Sequence, residues 1–244
     1  ELYGRIMEKY FSSAAMIEAV GAVITIPVMW YLFHRDRVKE RQMGIIPNKK
    51  AAFWKYAAGL LMAAALSLGL NNLIIIGNLS VMSESYEATM DILYSAPLMV
   101  QIISLAVLVP VSEELVFRGL LFKRLRERGT YIQAALYSSV VFGIMHGNLI
   151  QILYGFTLGM MLSYLCEKYG SVIAPIAAHI VMNLLSVLAT EYNLADWMME
   201  SNMRIGLITI GCAFVASTMF VLVQRIEEKP DAAGASEENK EVVV

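Results

Sequence analysis

Long apolar runs separated by short charged loops constrain the fold of this chain more than any other feature. The 244 residues are 58% hydrophobic and 16% charged, whereas a soluble domain is roughly 45–50% apolar and about 25% charged. A run of about 20 apolar residues is long enough to cross the hydrocarbon core of a bilayer as a helix. We therefore expect an all-α, polytopic membrane helix bundle, surrounded by the lipid bilayer and with no nucleic acid among its partners.

Seven apolar runs predict about seven transmembrane helices. They occupy roughly residues 12–33, 53–77, 96–122, 131–148, 149–165, 172–190 and 205–223. Lys and Arg are clustered in the loops at 34–50 and 123–128, and the positive-inside rule places such loops in the cytoplasm. The loops at 78–95 and 191–203 carry acidic but no basic residues, so we expect them on the opposite side of the membrane.

These spans predict a single transmembrane domain at residues 1–225 and a disordered cytoplasmic tail at 226–244, which is rich in Glu, Lys, Ala, Gly and Ser. The chain begins with Glu1 rather than Met, so we expect a trimmed N-terminus that lacks an eighth, earlier span. The expected location is the plasma membrane of a bacterium, as a multi-pass protein. The two cysteines, Cys166 and Cys212, have no metal-ligand spacing. The sequence predicts no particular oligomeric state.

Two glutamates and an arginine follow an uncharged apolar run at residues 96–111. Charges within a membrane span are costly and are rarely placed there without a use. On a helix, Glu114 and Arg118 are four residues apart and can form an ion pair. Glu113 is turned by about 100° from Glu114 and does not share that partner. The spacing predicts one carboxylate braced by Arg118 and one carboxylate left for another task.

Two other apolar runs carry polar side chains that also need partners. One contains His146, and another contains His179 and Asn183, which share a helix face because they are four residues apart. In isolation, each could be a hydrogen-bonding residue between helices. Together with Glu113, they favour one polar cavity toward which three helices turn these groups, away from lipid.

Two hydrolytic chemistries fit this set of side chains. In the first, His146 and His179 would bind zinc, and a carboxylate would complete the site. The H-E-x-x-H signature of zinc proteases is absent, so zinc is the weaker alternative. In the second, which needs no cofactor, Glu113 would act as general base on a water molecule. His146 would help hold the water, and His179 and Asn183 would donate hydrogen bonds to the oxyanion of a tetrahedral intermediate.

The same residues resemble the CAAX prenyl protease and bacteriocin-processing family of intramembrane glutamic endopeptidases, also called the Abi family. Its pattern is E-E-x-x-x-R, F-x-x-x-H and H-x-x-x-N/D. This chain has Glu113 to Arg118, Phe142 to His146 and His179 to Asn183, in that order, within a core at about 95–190. The three elements lie on separate spans, so the match is specific.

The resemblance implies roles for these residues. Glu113 would be the catalytic base, His146 its partner on the water, and His179 and Asn183 the oxyanion donors. Glu114, Arg118 and Phe142 would be supporting residues, and the catalytic cavity would face the cytoplasm. The implied substrate is a peptide or a membrane protein. Whether it is prenylated is not set by the sequence.

Two readings from other functional classes remain open at the level of the sequence. The chain could be a non-proteolytic immunity or regulatory module that binds another membrane protein. It could also be a proton-coupled transporter, although it lacks the internal repeat common in such proteins.

The predicted spans place two of these residues at different depths. Glu113 lies about 13 Å inside a span that ends near Phe122, whereas His146 lies about 22 Å inside a span that begins near Tyr131.

Overall fold

The computed structural model describes residues 14–43, 50–79 and 83–226, and within these ranges it contains helices and no strand. The helices are α1 (Ala14–Gln42), α2 (Tyr56–Ile76), α3 (Glu84–Tyr94), α4 (Leu98–Arg126), α5 (Tyr131–Ile144), α6 (Leu149–Tyr169), α7 (Ile173–Glu191), α8 (Leu194–Met199) and α9 (Asn202–Gln224). A single 3₁₀ turn, Phe53–Lys55, precedes α2. The predicted tail at 226–244 lies, beyond Ile226, outside the described residues.

The expectation of a polytopic helix bundle is confirmed. Within the described part of the chain, six helices are long and apolar enough to cross a membrane: α1, α2, α4, α6, α7 and α9. The seventh apolar helix, α5, has 14 residues, or about 21 Å at 1.5 Å per residue, which is less than the roughly 30 Å of the hydrocarbon core. The chain is a multi-pass membrane protein, and its described residues contain six long spans and one short apolar helix.

The short helix α5 ends earlier than its apolar run. The sequence predicted a span to Asn148, but the helix stops at Ile144 and a turn follows. The predicted turn residues explain the break. Gly147 has a φ of 84°, a conformation that glycine adopts without steric cost, and the side chain of Asn148 accepts a hydrogen bond from the backbone of Gln151 to cap α6. His146 therefore lies in this turn rather than inside a helix.

Helix α4 is longer than predicted and contains two π-helical stretches. These cover Ile102–Leu108 and Leu115–Phe122, on either side of the α-helical segment Val109–Glu114. The predicted end near Phe122 is wrong by four residues, because Lys123–Arg126 continue the helix. Basic residues are favourable at a helix C-terminus, where they face the negative end of the helix dipole.

Packing places α7 inside the bundle, where it contacts α2, α4 and α6, while α9 lies along α2 and α5 along α6. Helix α1 packs against α4. At the C-terminal ends of these two helices, Arg124 donates to Asp36 at 2.8 Å and Lys123 pairs with Glu40. Most of α1 and α9 is exposed, as expected for helices that border lipid. Helices α4 and α7, which contain the polar groups, therefore pack inside the bundle rather than along its border.

Candidate active site

The predicted ion pair of α4 is present and fully buried. Arg118 Nη1 donates to Glu114 Oε1 at 2.7 Å, and neither side chain is exposed to solvent. Arg118 Nη2 donates to the carbonyl of Gly159 on α6 at 3.0 Å, and its guanidinium lies 4.6 Å from the centroid of the Phe142 ring on α5. Arg118 therefore joins three helices as well as neutralising Glu114, which agrees with a supporting role.

Glu114 has a second partner that the sequence did not indicate. The same oxygen, Oε1, lies 2.9 Å from His179 Nδ1 on α7. Glu114 Oε1 already accepts from Arg118, so Nδ1 is taken as the donor of this hydrogen bond. Glu114 consequently fixes the orientation of the His179 ring and directs its Nε2 to the opposite side.

His179 Nε2 faces the second glutamate. It lies 3.7 Å from Glu113 Oε2, which is too long for a direct hydrogen bond. The side chain of Glu113 is 27% exposed, whereas that of Glu114 is 0% exposed. The two adjacent carboxylates thus occupy different environments on either side of one imidazole: one is buried and paired, and the other is reachable.

His146 is held near the same place by the end of α5. Its Nδ1 lies 2.9 Å from the carbonyl of Phe142, and its ring meets the Phe142 ring edge-on at 4.9 Å between centroids. Phe142 also meets His179 edge-on at 5.9 Å. Phe142 therefore sits between the two histidines, and the turn after α5 brings His146 to the residues of α4 and α7.

Asn183 lies one helical turn beyond His179 but contacts a different group. Its Nδ2 donates to the carbonyl of Leu105 at 2.8 Å, within the first π-helical stretch of α4. Single π turns occur often at functional sites. Since an amide nitrogen carries two N–H groups, this bond leaves one for another acceptor.

The observed helix lengths account for the depth conflict. Because α4 continues to Arg126, Glu113 lies about 20 Å from the helix end at 1.5 Å per residue. Helix α5 runs for about 20 Å from Tyr131 to Ile144, and His146 follows in the turn. Counted from the observed helix ends, Glu113 and the end of α5 therefore lie at similar distances along their helices.

Two glycines on α6 also shape this region, and the sequence reasoning did not select them. A Cβ at Gly159 would approach Arg118 Nη2 to 3.2 Å and the Ser139 side chain to 3.0 Å, and one at Gly155 would lie 3.4 Å from His146 Nδ1. The pair forms a G-x-x-x-G spacing, the pattern that lets membrane helices approach closely. This spacing is the feature of the sequence by which the two glycines could have been selected.

A metal site has no matching donor set in the described part of the chain. No group of three or more His, Cys, Asp or Glu side chains is arranged there to hold a metal ion. One oxygen of Glu114 is already shared by Arg118 and His179. We derive no step through zinc.

Comparisons with known proteins point to one family. Residues 95–185 match the family described as type II CAAX prenyl endopeptidase Rce1-like. The protein named "Putative membrane peptidase YdiL" of Bacillus subtilis (strain 168) is 30% identical over 129 residues, which cover 53% of this chain and 52% of that protein. The chain thus spans about half the length of this relative. No solved structure gives a significant match.

Proposed function

We propose that the chain, whose residues 95–185 match the Rce1-like family of type II CAAX prenyl endopeptidases, is a member of the CAAX prenyl protease and bacteriocin-processing family and an intramembrane endopeptidase that hydrolyses peptide bonds by a glutamate-activated water. One observation carries the proposal: the His179 ring is held between Glu114 at 2.9 Å and Glu113 at 3.7 Å. Glu114 holds the His179 ring in one orientation, and Glu113 is reachable by a water molecule. General-base hydrolysis requires a base positioned in this way.

Glu113 is the proposed general base. The 3.7 Å between Glu113 Oε2 and His179 Nε2 suits two groups that share one water molecule. The water oxygen attacks the carbonyl carbon of the peptide bond and gives its proton to Glu113. The tetrahedral intermediate then expels the amine, which takes the proton back from Glu113 as the C–N bond breaks.

Glu114 is a positioning residue in this proposal, because it holds the His179 ring rather than touching the substrate. It plays the part that the third member of a catalytic triad plays for its histidine, which is to fix the tautomer and the orientation. Arg118 holds the Glu114 carboxyl by a hydrogen bond at 2.7 Å, in the position where it accepts from His179 Nδ1. The ion pair of α4 would thus act through His179.

His146, His179 and Asn183 surround the proposed reaction centre. His146 Nδ1 is engaged by the carbonyl of Phe142, so its Nε2 is the nitrogen that could hold the water. The second N–H of Asn183, which its bond to Leu105 does not use, would donate to the oxyanion. His179 would donate beside it from Nε2 once that nitrogen also carries a proton, because Nδ1 is already engaged by Glu114. The proposed cavity opens to the cytoplasm, and the proposed substrate is a peptide or membrane protein.

The test compares membrane peptides by mass spectrometry in cells that carry the wild type, Glu113→Gln or Glu191→Gln. Glu191 is an exposed acid at the end of α7 and serves as the control for loss of a carboxylate. We expect the cleavage products to disappear with Glu113→Gln and to persist with Glu191→Gln. If all three strains produce the same peptides, the chain is not a protease of this type, and a binding or immunity module becomes the better reading.

A further inference from the structure

A cavity lies at the end of the bundle opposite the basic loops. It has a volume of about 440 Å³ and is formed by the C-terminal ends of α2 and α7 together with α3 and α8, which lie in the loops that lack Lys and Arg. Volumes of about 300–1,000 Å³ are typical of ligand pockets. None of the proposed catalytic residues lines it.

The chemistry of the lining suits a positively charged group on an apolar stem. Asp91 is its only charged lining residue, and Tyr86 and Tyr94 supply aromatic rings that can contact a cation. Asp91 is exposed and forms no ion pair with the described residues. Burial raises the pKa of Tyr86 and of Tyr94, so both phenols stay neutral near pH 7. The remaining lining is largely aliphatic.

A buried amide gives an independent indication of a donor ligand. Asn72 lines the cavity and is fully buried. Its Nδ2 donates to Thr209 at 3.1 Å, but its Oδ1 accepts no hydrogen bond from any described residue. A buried acceptor without a donor costs about 1–3 kcal/mol, and an ammonium or guanidinium group offers several donors.

None of the described basic residues near the cavity supplies the cation. Between Lys55 and Arg118 the sequence has no basic residue. Arg204, near α8, is committed to Glu200 at 3.0 Å and stacks over the ring of Trp197 at 4.5 Å. The described acidic end of the bundle therefore attracts cations from outside.

A polar network lies along the wall of the cavity that α2, α6 and α7 form. Tyr154 on α6 hydrogen-bonds Ser67 at 2.9 Å and Asn71 at 3.3 Å, and Ser186 also hydrogen-bonds it. Ser67, Asn71 and Ser186 all line the cavity. Ser186 shares the helix face of His179 and lies about 10 Å beyond it along α7, a distance that three residues of extended peptide span.

We propose that this cavity is a specificity pocket that binds a Lys or Arg side chain of the substrate peptide, about three residues from the bond that is cut and on the outer side of the membrane. The peptide is favoured as the occupant because Ser186, which lines the pocket, lies on the same face of α7 as His179, about two helical turns away. This inference rests on the proposed protease function for the bond that is cut, but the binding itself does not depend on cleavage.

The test uses the full chain carrying Glu113→Gln, reconstituted in phosphatidylcholine nanodiscs, so that binding is measured without proteolysis. The probes are fluorescein-labelled Ala-Leu-Lys-Leu-Ala amide and the same peptide with norleucine in place of Lys. We expect the Lys peptide to bind at least about ten-fold more tightly. Adding Asp91→Asn should abolish that preference, whereas Glu87→Gln, an equal loss of charge on α3 that does not line the cavity, should keep it.

A charge swap provides a second readout. Asp91→Lys should reverse the preference, so that Ala-Leu-Glu-Leu-Ala amide binds more tightly than the Lys peptide. Equal binding of the Lys and norleucine peptides, or equal losses with Asp91→Asn and Glu87→Gln, would overturn the proposal. Displacement of the Lys peptide by phosphatidylethanolamine in the nanodisc would also overturn it, because the occupant would then be a lipid. Absence of proteolysis by the wild type, with the Lys preference of the Glu113→Gln variant intact, would refute the protease function alone.

Discussion

Arg118→Met offers the sharpest test of how the site is held together. The guanidinium makes an ion pair with Glu114 at 2.7 Å, a hydrogen bond to Gly159 at 3.0 Å and a contact with the Phe142 ring at 4.6 Å. Methionine fills much of the same space but supplies none of these polar contacts. It leaves Glu114 as a carboxylate that is 0% exposed and has lost its counter-ion.

The expected cost follows from that isolated charge. Breaking a buried ion pair by removing one partner costs about 3–5 kcal/mol, and an orphaned buried carbonyl adds about 1–3 kcal/mol. These terms overlap, because both describe the loss of the same guanidinium. We therefore expect a loss of about 4 kcal/mol, a large part of the roughly 5–15 kcal/mol that stabilises a folded protein.

The assay is reversible denaturation of the purified protein in mixed micelles, followed by circular dichroism. Arg35→Met is the control, because the Arg35 side chain is 44% exposed and its nearest acid is 3.9 Å away; such pairs contribute about 0–1 kcal/mol. Glu114→Gln combined with Arg118→Met removes both charges and should recover part of the loss. A stability of Arg118→Met within about 0.5 kcal/mol of the control would refute the reasoning.

Three further outcomes are expected. Gly159→Ala forces a Cβ to within 3.2 Å of Arg118 Nη2 and should lower stability by about 1–3 kcal/mol; Gly206→Ala, where nothing lies within 4 Å, should be neutral by the same denaturation assay. Asn183→Leu should lower the cleavage rate by about 10²–10³-fold if its free N–H serves the oxyanion, while a purely structural role would change stability and leave the rate of the folded protein intact. Cleavage should persist in EDTA, and loss of activity that Zn²⁺ restores would favour the metal alternative.

Much of the architecture could be predicted from the sequence, because apolar run length and loop charge depend on few physical rules. Six long spans and one short helix match the runs, and Gly147 and Asn148 mark a turn where glycine and a capping residue are required. The ion pair of Glu114 with Arg118 followed from helical spacing alone, since it is local in the chain.

The remaining features of the site depend on contacts between distant segments. The bond of Glu114 to His179 and that of Asn183 to Leu105 join α7 to α4, and no local spacing specifies which helices meet or at what rotation. The π-helical stretches shift the register of α4 in a way that ordinary helical periodicity does not show. The apolar run continues to Asn148 whereas α5 ends at Ile144, so run length alone puts His146 in a span.

The most direct test of the account is the rate at which purified wild type and Glu113→Gln cleave a peptide identified from the membrane comparison. The account predicts a loss of at least about 10²–10⁴-fold, the contribution of a positioned general base, with an unchanged denaturation midpoint. Cleavage by folded Glu113→Gln at the wild-type rate would contradict the central claim that Glu113 activates the water.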